Sequence, residues 1–197
     1  MKRRIVITCL LLISFSFLMS EMNFGVGLDL PGTHELSGTG YSFDYDTAMG
    51  FQVFGEYLKP LSKSPGMNFD GGIGAAYLLP RNPDADDDEG DQAFGFIPLY
   101  VLGQVSTAGE GTVFFGKLRA GYDIFYGNAD YFPERDFSGG FFLGIGGGII
   151  MTNNLFLELS YQMLKGSMEE GSTEDEEGFT EDVSDSHLSI LIGLKMK

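Results

Sequence analysis

The chain has no tryptophan and a single cysteine, Cys9, among 197 residues. One thiol excludes an internal disulfide framework, and its position near the start leaves everything downstream without thiolate chemistry. Basic residues are scarce: 12 Lys and Arg stand against 28 Asp and Glu, for a net charge of −16. A basic footprint for nucleic acid is therefore absent, and that class of partner is discarded. Beyond residue 20 no apolar run is long enough to cross a bilayer as a helix, which takes about 20 residues. The one long apolar stretch, Ile5 to Met19, follows Lys2, Arg3 and Arg4. Charged-then-apolar order and modest length read as a secretory signal, with cleavage expected after Ser20 and export through the Sec pathway. The expected organisation is thus 1–20 signal peptide, with Cys9 inside it, and 21–197 a single domain; a retained anchor is the alternative.

What the chain does have is alternation. In eight segments every second residue is apolar, and a strand turns successive side chains to opposite faces. Phe24, Val26, Leu28 and Leu30 oppose Asn23, Gly25, Gly27 and Asp29. Phe51, Val53 and Tyr57 oppose Gln52, Phe54 and Glu56; Phe69, Ile73 and Tyr77 oppose Asn68, Asp70, Gly72 and Gly74. A mixed segment spans Phe96 to Val105, with Ile97, Leu99, Val101 and Val105 assigned outward. Phe114, Leu118, Tyr122 and Ile124 oppose Phe115, Lys117, Arg119 and Asp123, and Phe141, Leu143, Ile145 and Ile149 oppose a glycine-rich face. Leu155, Leu157, Leu159 and Tyr161 oppose Phe156, Glu158, Ser160 and Gln162; Leu188, Ile190, Ile192 and Leu194 oppose His187, Ser189, Leu191 and Lys195. Each segment has about 9–11 residues, the length a tilted strand needs to cross hydrocarbon.

An aqueous barrel would alternate too, with its apolar face inward. Here the polar face is rich in glycine and carries charges of both signs, which suits a narrow interior better than a solvated exterior. Tyr57, Tyr77, Tyr122, Tyr126 and Tyr161 lie near segment ends, at headgroup level. The expected fold class is all-β, an eight-stranded antiparallel up-and-down transmembrane β-barrel. Unpaired backbone groups in lipid cost several kcal/mol, so the first and last strands should pair and the last should run almost to Lys197.

Connections alternate short and long, as they do between the two ends of an outer-membrane barrel. Lys59–Gly66, Thr107–Thr112 and Thr152–Asn154 read as short periplasmic turns. Pro31–Thr47, Pro80–Ala93, Gly127–Ser138 and Lys165–Ser186 read as long external loops. Those four loops hold 21 of the 28 acidic residues and only Arg81, Arg135 and Lys165 as basic ones. A solvated acidic rim is the simplest account. Asp84, Asp86 and Asp88 have the alternate spacing of a calcium loop, yet the turn glycine comes one place late and no glutamate closes the run. No specific metal site or cofactor is assigned, and loosely bound divalent cations are the expectation for the rim.

The interior-facing charges Asp29, Glu56, Asp70, Lys117, Arg119, Asp123 and Glu158 are expected to form a paired network, because an unpaired buried charge is very unfavourable. Such a network plugs the lumen; a narrow gated ion path through the same charges is the alternative.

The segments Gly50–Tyr57, Ile97–Val101, Lys117–Tyr122 and Gly144–Tyr161 resemble the small outer-membrane barrels of the OmpA/OmpX type, often described as porin-family outer-membrane β-barrel domains. That resemblance implies residence in the outer membrane of a Gram-negative cell, contact with its lipid and lipopolysaccharide, and insertion by the barrel-assembly machinery. It implies a structural or surface-interaction role, with acidic loops displayed on a plugged barrel. The alternative is a small porin-like channel or transporter for ions or small solutes. His187-Leu-Ser189 resembles the His-x-Ser of outer-membrane lipid A deacylases, but no acid follows it to orient the histidine and both side chains point inward. His34 shows no evident partner. No enzyme activity is assigned.

Overall fold

The computed structural model describes residues 20–81, 94–109, 111–127, 135–170 and 180–196. The expected signal peptide, the Asp84, Asp86 and Asp88 run, and most of the acidic stretch between Glu170 and Thr180 lie outside the described residues.

Ten antiparallel strands form one sheet: β1 (Glu21–Asp29), β2 (Thr33–Gly38), β3 (Tyr41–Asp46), β4 (Gly50–Ser64), β5 (Met67–Arg81), β6 (Phe94–Thr107), β7 (Val113–Gly127), β8 (Arg135–Ile150), β9 (Leu155–Glu170) and β10 (Thr180–Met196). β1 pairs with β4 on one side and β10 on the other, so hydrogen bonding runs as a ring through eight of the ten. The β1–β10 ladder extends from Met22 opposite Met196 to Asp29 opposite Ser189. β2 and β3 leave the ring as a hairpin seated on the outer part of β10, with Thr33 opposite Ser186 and Ser37 opposite Asp182.

The alternation read from the sequence sets the two faces. Phe51, Ile73, Val101, Phe114, Ile145 and Leu159 are each more than half exposed on the outer face of the ring. Phe54, Tyr100, Phe115, Phe142, Phe156 and Leu191 are buried on the inner face with the charged and amide side chains. The inside is therefore part aromatic. Phe54 and Phe156 approach with ring centroids 6.0 Å apart, Tyr100 and Phe142 at 5.3 Å, and Phe96 and Phe125 at 5.0 Å.

Four expectations about connections need correction. Pro31–Thr47, expected as an irregular loop, contains the β2–β3 hairpin. Its turn at Thr39–Gly40 is made by Gly40, whose φ of 92° an L side chain would adopt only under strain. Lys59–Gly66, expected as a turn, is mostly strand; β4 continues to Ser64 through a bulge between Pro60 and Ser62, and the turn itself is Pro65–Gly66. Bulges let one extra residue enter without ending the ladder, which is why Pro60 does not terminate the strand. Lys165–Ser186 and Gly127–Ser138 begin or end as strand: β9 continues to Glu170, β10 starts at Thr180 and β8 starts at Arg135. Strands of 14–17 residues for β4 to β10 thus exceed the expected length, and the excess lies chiefly at the end with the long connections.

Candidate functional site

Two buried polar clusters occupy the inside of the ring. The deeper one is made by strands that face each other across it. Alternation on β7 sends Lys117 and Arg119 inward, and the same rule on β4 and β9 sends in Glu56 and Glu158. Lys117 Nζ donates to Glu56 Oε2 at 2.8 Å and to Glu158 Oε2 at 3.1 Å. Arg119 donates through Nε to Glu56 Oε1 at 2.9 Å and through Nη2 to Glu158 Oε2 at 3.0 Å, with Nη1 on the other oxygen of Glu158. Glu56 also accepts from Asn23 Nδ2 at 3.2 Å and from the Tyr100 hydroxyl at 3.4 Å. All four charged side chains are almost completely buried, and two cations balance two anions. The Lys117 ammonium also lies 5.2 Å from the Phe115 ring centroid and 5.5 Å from that of Phe156. Glycine makes the room: a Cβ at Gly146 would meet Glu158 Oε1 at 2.5 Å.

This cluster brings together Glu56, Lys117, Arg119 and Glu158, but not the other three interior charges expected to join them. Asp70 sits toward the short-turn end, where Gln104 Nε2 donates to it at 3.3 Å. Asp123 is buried without a side-chain hydrogen-bond partner among the described residues. Asp29 belongs to the second cluster. The reason is height: residues with the same inward facing lie at different levels of a staggered ring, and facing alone does not fix level.

The second cluster lies at the end with the long connections and centres on Asp185. Arg81 Nη2 donates to Asp185 Oδ1 at 2.9 Å, His187 Nδ1 is 2.6 Å from the same oxygen, and His34 Nδ1 is 3.5 Å from Oδ2. Asp185 is buried, and the Arg81 guanidinium together with the two histidine contacts compensates its carboxylate. His187 Nε2 lies 3.6 Å from Asp29 Oδ1, which accepts from Ser189 Oγ at 2.7 Å and from Gln52 Nε2. Gln162 Nε2 donates to Ser189 Oγ at 3.1 Å.

His34, expected to have no partner, is instead buried and stacked on Phe94 with ring centroids 5.4 Å apart, while His187 points inward as its place in the alternation implies and is buried. Asp185 and Asp29 supply the acids that chain order beyond Ser189 lacks. Ser189 itself is wholly buried, its hydroxyl donating to Asp29 and accepting from Gln52 and Gln162, so it is committed to an internal network and not presented to a substrate. The grouping of Asp185, His187 and Ser189 was available from alternate spacing on β10. The arrival of His34 depends on the hairpin, and that of Arg81 on a register shift between Leu78 and Arg81.

His34 and Asp185 form a latch between hairpin and ring. Asp185→Asn removes the charge that Arg81 and His34 share, and weakening a buried charge-assisted bond costs about 1.5–3 kcal/mol. The expected outcome is faster amide exchange across β2 and β3, by tenfold or more, with exchange in β7 unchanged. Equal protection of the hairpin in both proteins would remove the latch assignment.

At the short-turn end the inside opens into a vestibule of about 450 Å³ lined by Glu21, Lys63, Asp70 and Lys195 among others. Deeper in, the void bordered by Gln52, Phe54, Tyr100, Arg119, Gln162 and Leu191 is only about 10 Å³, room for one water molecule.

An up-and-down antiparallel ring with an apolar outside and a charged, aromatic inside is the architecture of small outer-membrane barrels. The chain is similar to the outer membrane protein OprG from Pseudomonas aeruginosa, with a TM-score of 0.61 and 12% identity over 90% of this chain and 95% of that one. Weaker likenesses are to the outer membrane protein AlkL, at TM-score 0.48 and 14% identity over 90% of each chain, and to Neisserial surface protein A, at TM-score 0.46 and 11% identity over 90% and 97%. At 12% identity the likeness to OprG is one of fold alone. No family model matches the chain, and no curated protein matches it in sequence.

Proposed function

We propose that the eight-strand ring is a closed transmembrane barrel of the bacterial outer membrane, plugged along its axis, whose role is to display the β2–β3 hairpin and the acidic loops outside the cell. The observation that carries this is the inversion of the two faces. Leu and Ile side chains of β9 and β10 stand outward while Glu56, Lys117, Arg119 and Glu158 are sealed inside. In water that arrangement exposes a continuous apolar belt far larger than monomeric proteins tolerate; in lipid it satisfies both solvents. The outward residues turn polar near the long-connection end of β10, where Ser186, Ser184 and Asp182 follow Leu188. That change supports an outer limit to the apolar belt, with the hairpin beyond it. The signal peptide expected at 1–20 agrees with export, and the acidic loops agree with a hydrated outer rim.

The four-charge cluster and the aromatic rings beside it support a plug over a pore, since an eight-stranded interior is filled by its own side chains. The refolded protein in a planar bilayer is expected to show no steady conductance in molar salt. Discrete, reproducible channel openings that survive purification would favour the porin-like reading instead, and would relocate the function from the hairpin to the lumen.

A further inference from the structure

We infer that β3 is a docking edge for an extended basic peptide, which adds to the sheet as a further strand outside the membrane. The inference rests on the display reading in one respect, that the hairpin lies beyond the bilayer.

The sheet order ends β10, β2, β3, and β3 has no strand on its far side among the described residues. A strand edge of this kind presents backbone N–H and C=O groups that a second chain can pair. All six residues of β3 are exposed. Their side chains sort by alternation into two faces. Tyr41, Phe43 and Tyr45 form one, with Phe43 the most open at 54% and the Tyr41 and Phe43 rings 5.5 Å apart. Ser42, Asp44 and Asp46 form the other. At one end of the aromatic row the Tyr41 hydroxyl donates to Glu181 on β10 at 2.6 Å. The hairpin is itself fixed to the ring by five β2–β10 residue pairs and the His34–Asp185 contact. The edge is therefore presented in place, without an ordering cost at the moment of binding.

Charge selects the occupant. No lysine or arginine occurs between Pro31 and Thr47, while Glu35, Asp44 and Asp46 do, and Asp182 faces the same way on the neighbouring β10. A second copy of the chain docking edge to edge would set Asp44 and Asp46 against their own counterparts, and like charges across strands are destabilising. An anionic lipid surface is repelled for the same reason. A peptide alternating basic and apolar residues meets both faces. Its basic side chains reach Asp44 and Asp46, and its apolar ones cover Phe43 and Tyr45.

The test uses the full folded chain in zwitterionic micelles, titrated with a labelled peptide of alternating lysine and valine. Binding is read by fluorescence anisotropy and by amide exchange of residues 41–46. Saturable binding with slowed exchange in β3 is expected. Asp44→Pro, which removes a backbone donor from the edge, and the pair Asp44→Lys with Asp46→Lys should each weaken binding by about tenfold or more. Asp136→Lys, an exposed acid at the start of β8, should change it less than about twofold. The same peptide N-methylated at alternate amides keeps its charge but cannot pair as a strand, and should bind about tenfold more weakly to the unaltered protein. Equal binding of the methylated peptide, or unchanged exchange in β3, would overturn the inference and leave only attraction to an acidic rim. Self-association abolished by Asp44→Pro would overturn it in favour of a second copy. A conducting barrel that binds the peptide would sink the display reading alone, so the two failures are distinguishable.

Discussion

Arginine at Leu159 is expected to destabilise the folded protein in a bilayer by about 2–4 kcal/mol. Leu159 lies in the middle of the outward apolar row Leu155–Met163 of β9, is 54% exposed, and pairs with Ile190 on one side and Gly147 on the other. If the outer face meets hydrocarbon, a guanidinium there must either sit in lipid or pull headgroups and water toward it, and both are unfavourable. The cost depends on depth, so the same substitution further out supplies the comparison. Asp182→Arg places the identical side chain on the outer face of β10, beyond the apolar belt, and should change stability by less than about 1 kcal/mol. Reversible urea unfolding of the two variants in phospholipid vesicles measures both. A cost near zero at Leu159 would mean that this face is wet, and the assignment of the two solvents would be reversed.

Facing was legible in the chain because it follows from a period of two. Every outward side chain assigned along β9 and β10 stands on the outer face, and the less regular Ile97, Leu99, Val101 and Val105 do as well. Which inward residues meet was legible only in part. Lys117 and Arg119 are adjacent inward positions of one strand, and two long cations on a narrow interior must find carboxylates near them. That they choose Glu56 and Glu158, and not Asp29, Asp70 or Asp123, depends on stagger between strands, and a one-strand pattern carries no stagger. The hairpin was hidden for a different reason. Thr33–Asp46 alternates, but its aromatic and acidic residues do not repeat the apolar-outward, small-inward pattern of the ring. Beyond the belt the two faces meet different surroundings, so the sequence rule that identifies ring strands stops applying there. His34 and Asp185 are the residues lost with it: each is an ordinary loop residue until the β2–β10 pairing brings them together.

Arg119→Ala should be the most damaging single truncation inside the ring. The arginine donates to both Glu56 and Glu158, and its removal leaves two carboxylates sharing the Lys117 ammonium in a dry interior. Breaking a buried pair from one side typically costs about 3–5 kcal/mol, because the remaining charge loses its compensation and not merely one bond. Lys63→Ala, on an exposed stretch of β4, should change stability by about 0.5 kcal/mol or less. The informative variant is the double one. Arg119→Met with Glu158→Leu removes one charge of each sign and leaves Lys117 facing Glu56, so the interior stays neutral. It should be more stable than Arg119→Ala by at least about 1 kcal/mol, even though it has lost more hydrogen bonds. Chemical denaturation of the four proteins in micelles decides the matter. If Arg119→Ala matches Lys63→Ala, the guanidinium is not buried and the plug is not there. If the double variant is worse than the single one, the cluster acts through its individual hydrogen bonds, and charge balance is not what holds the interior together.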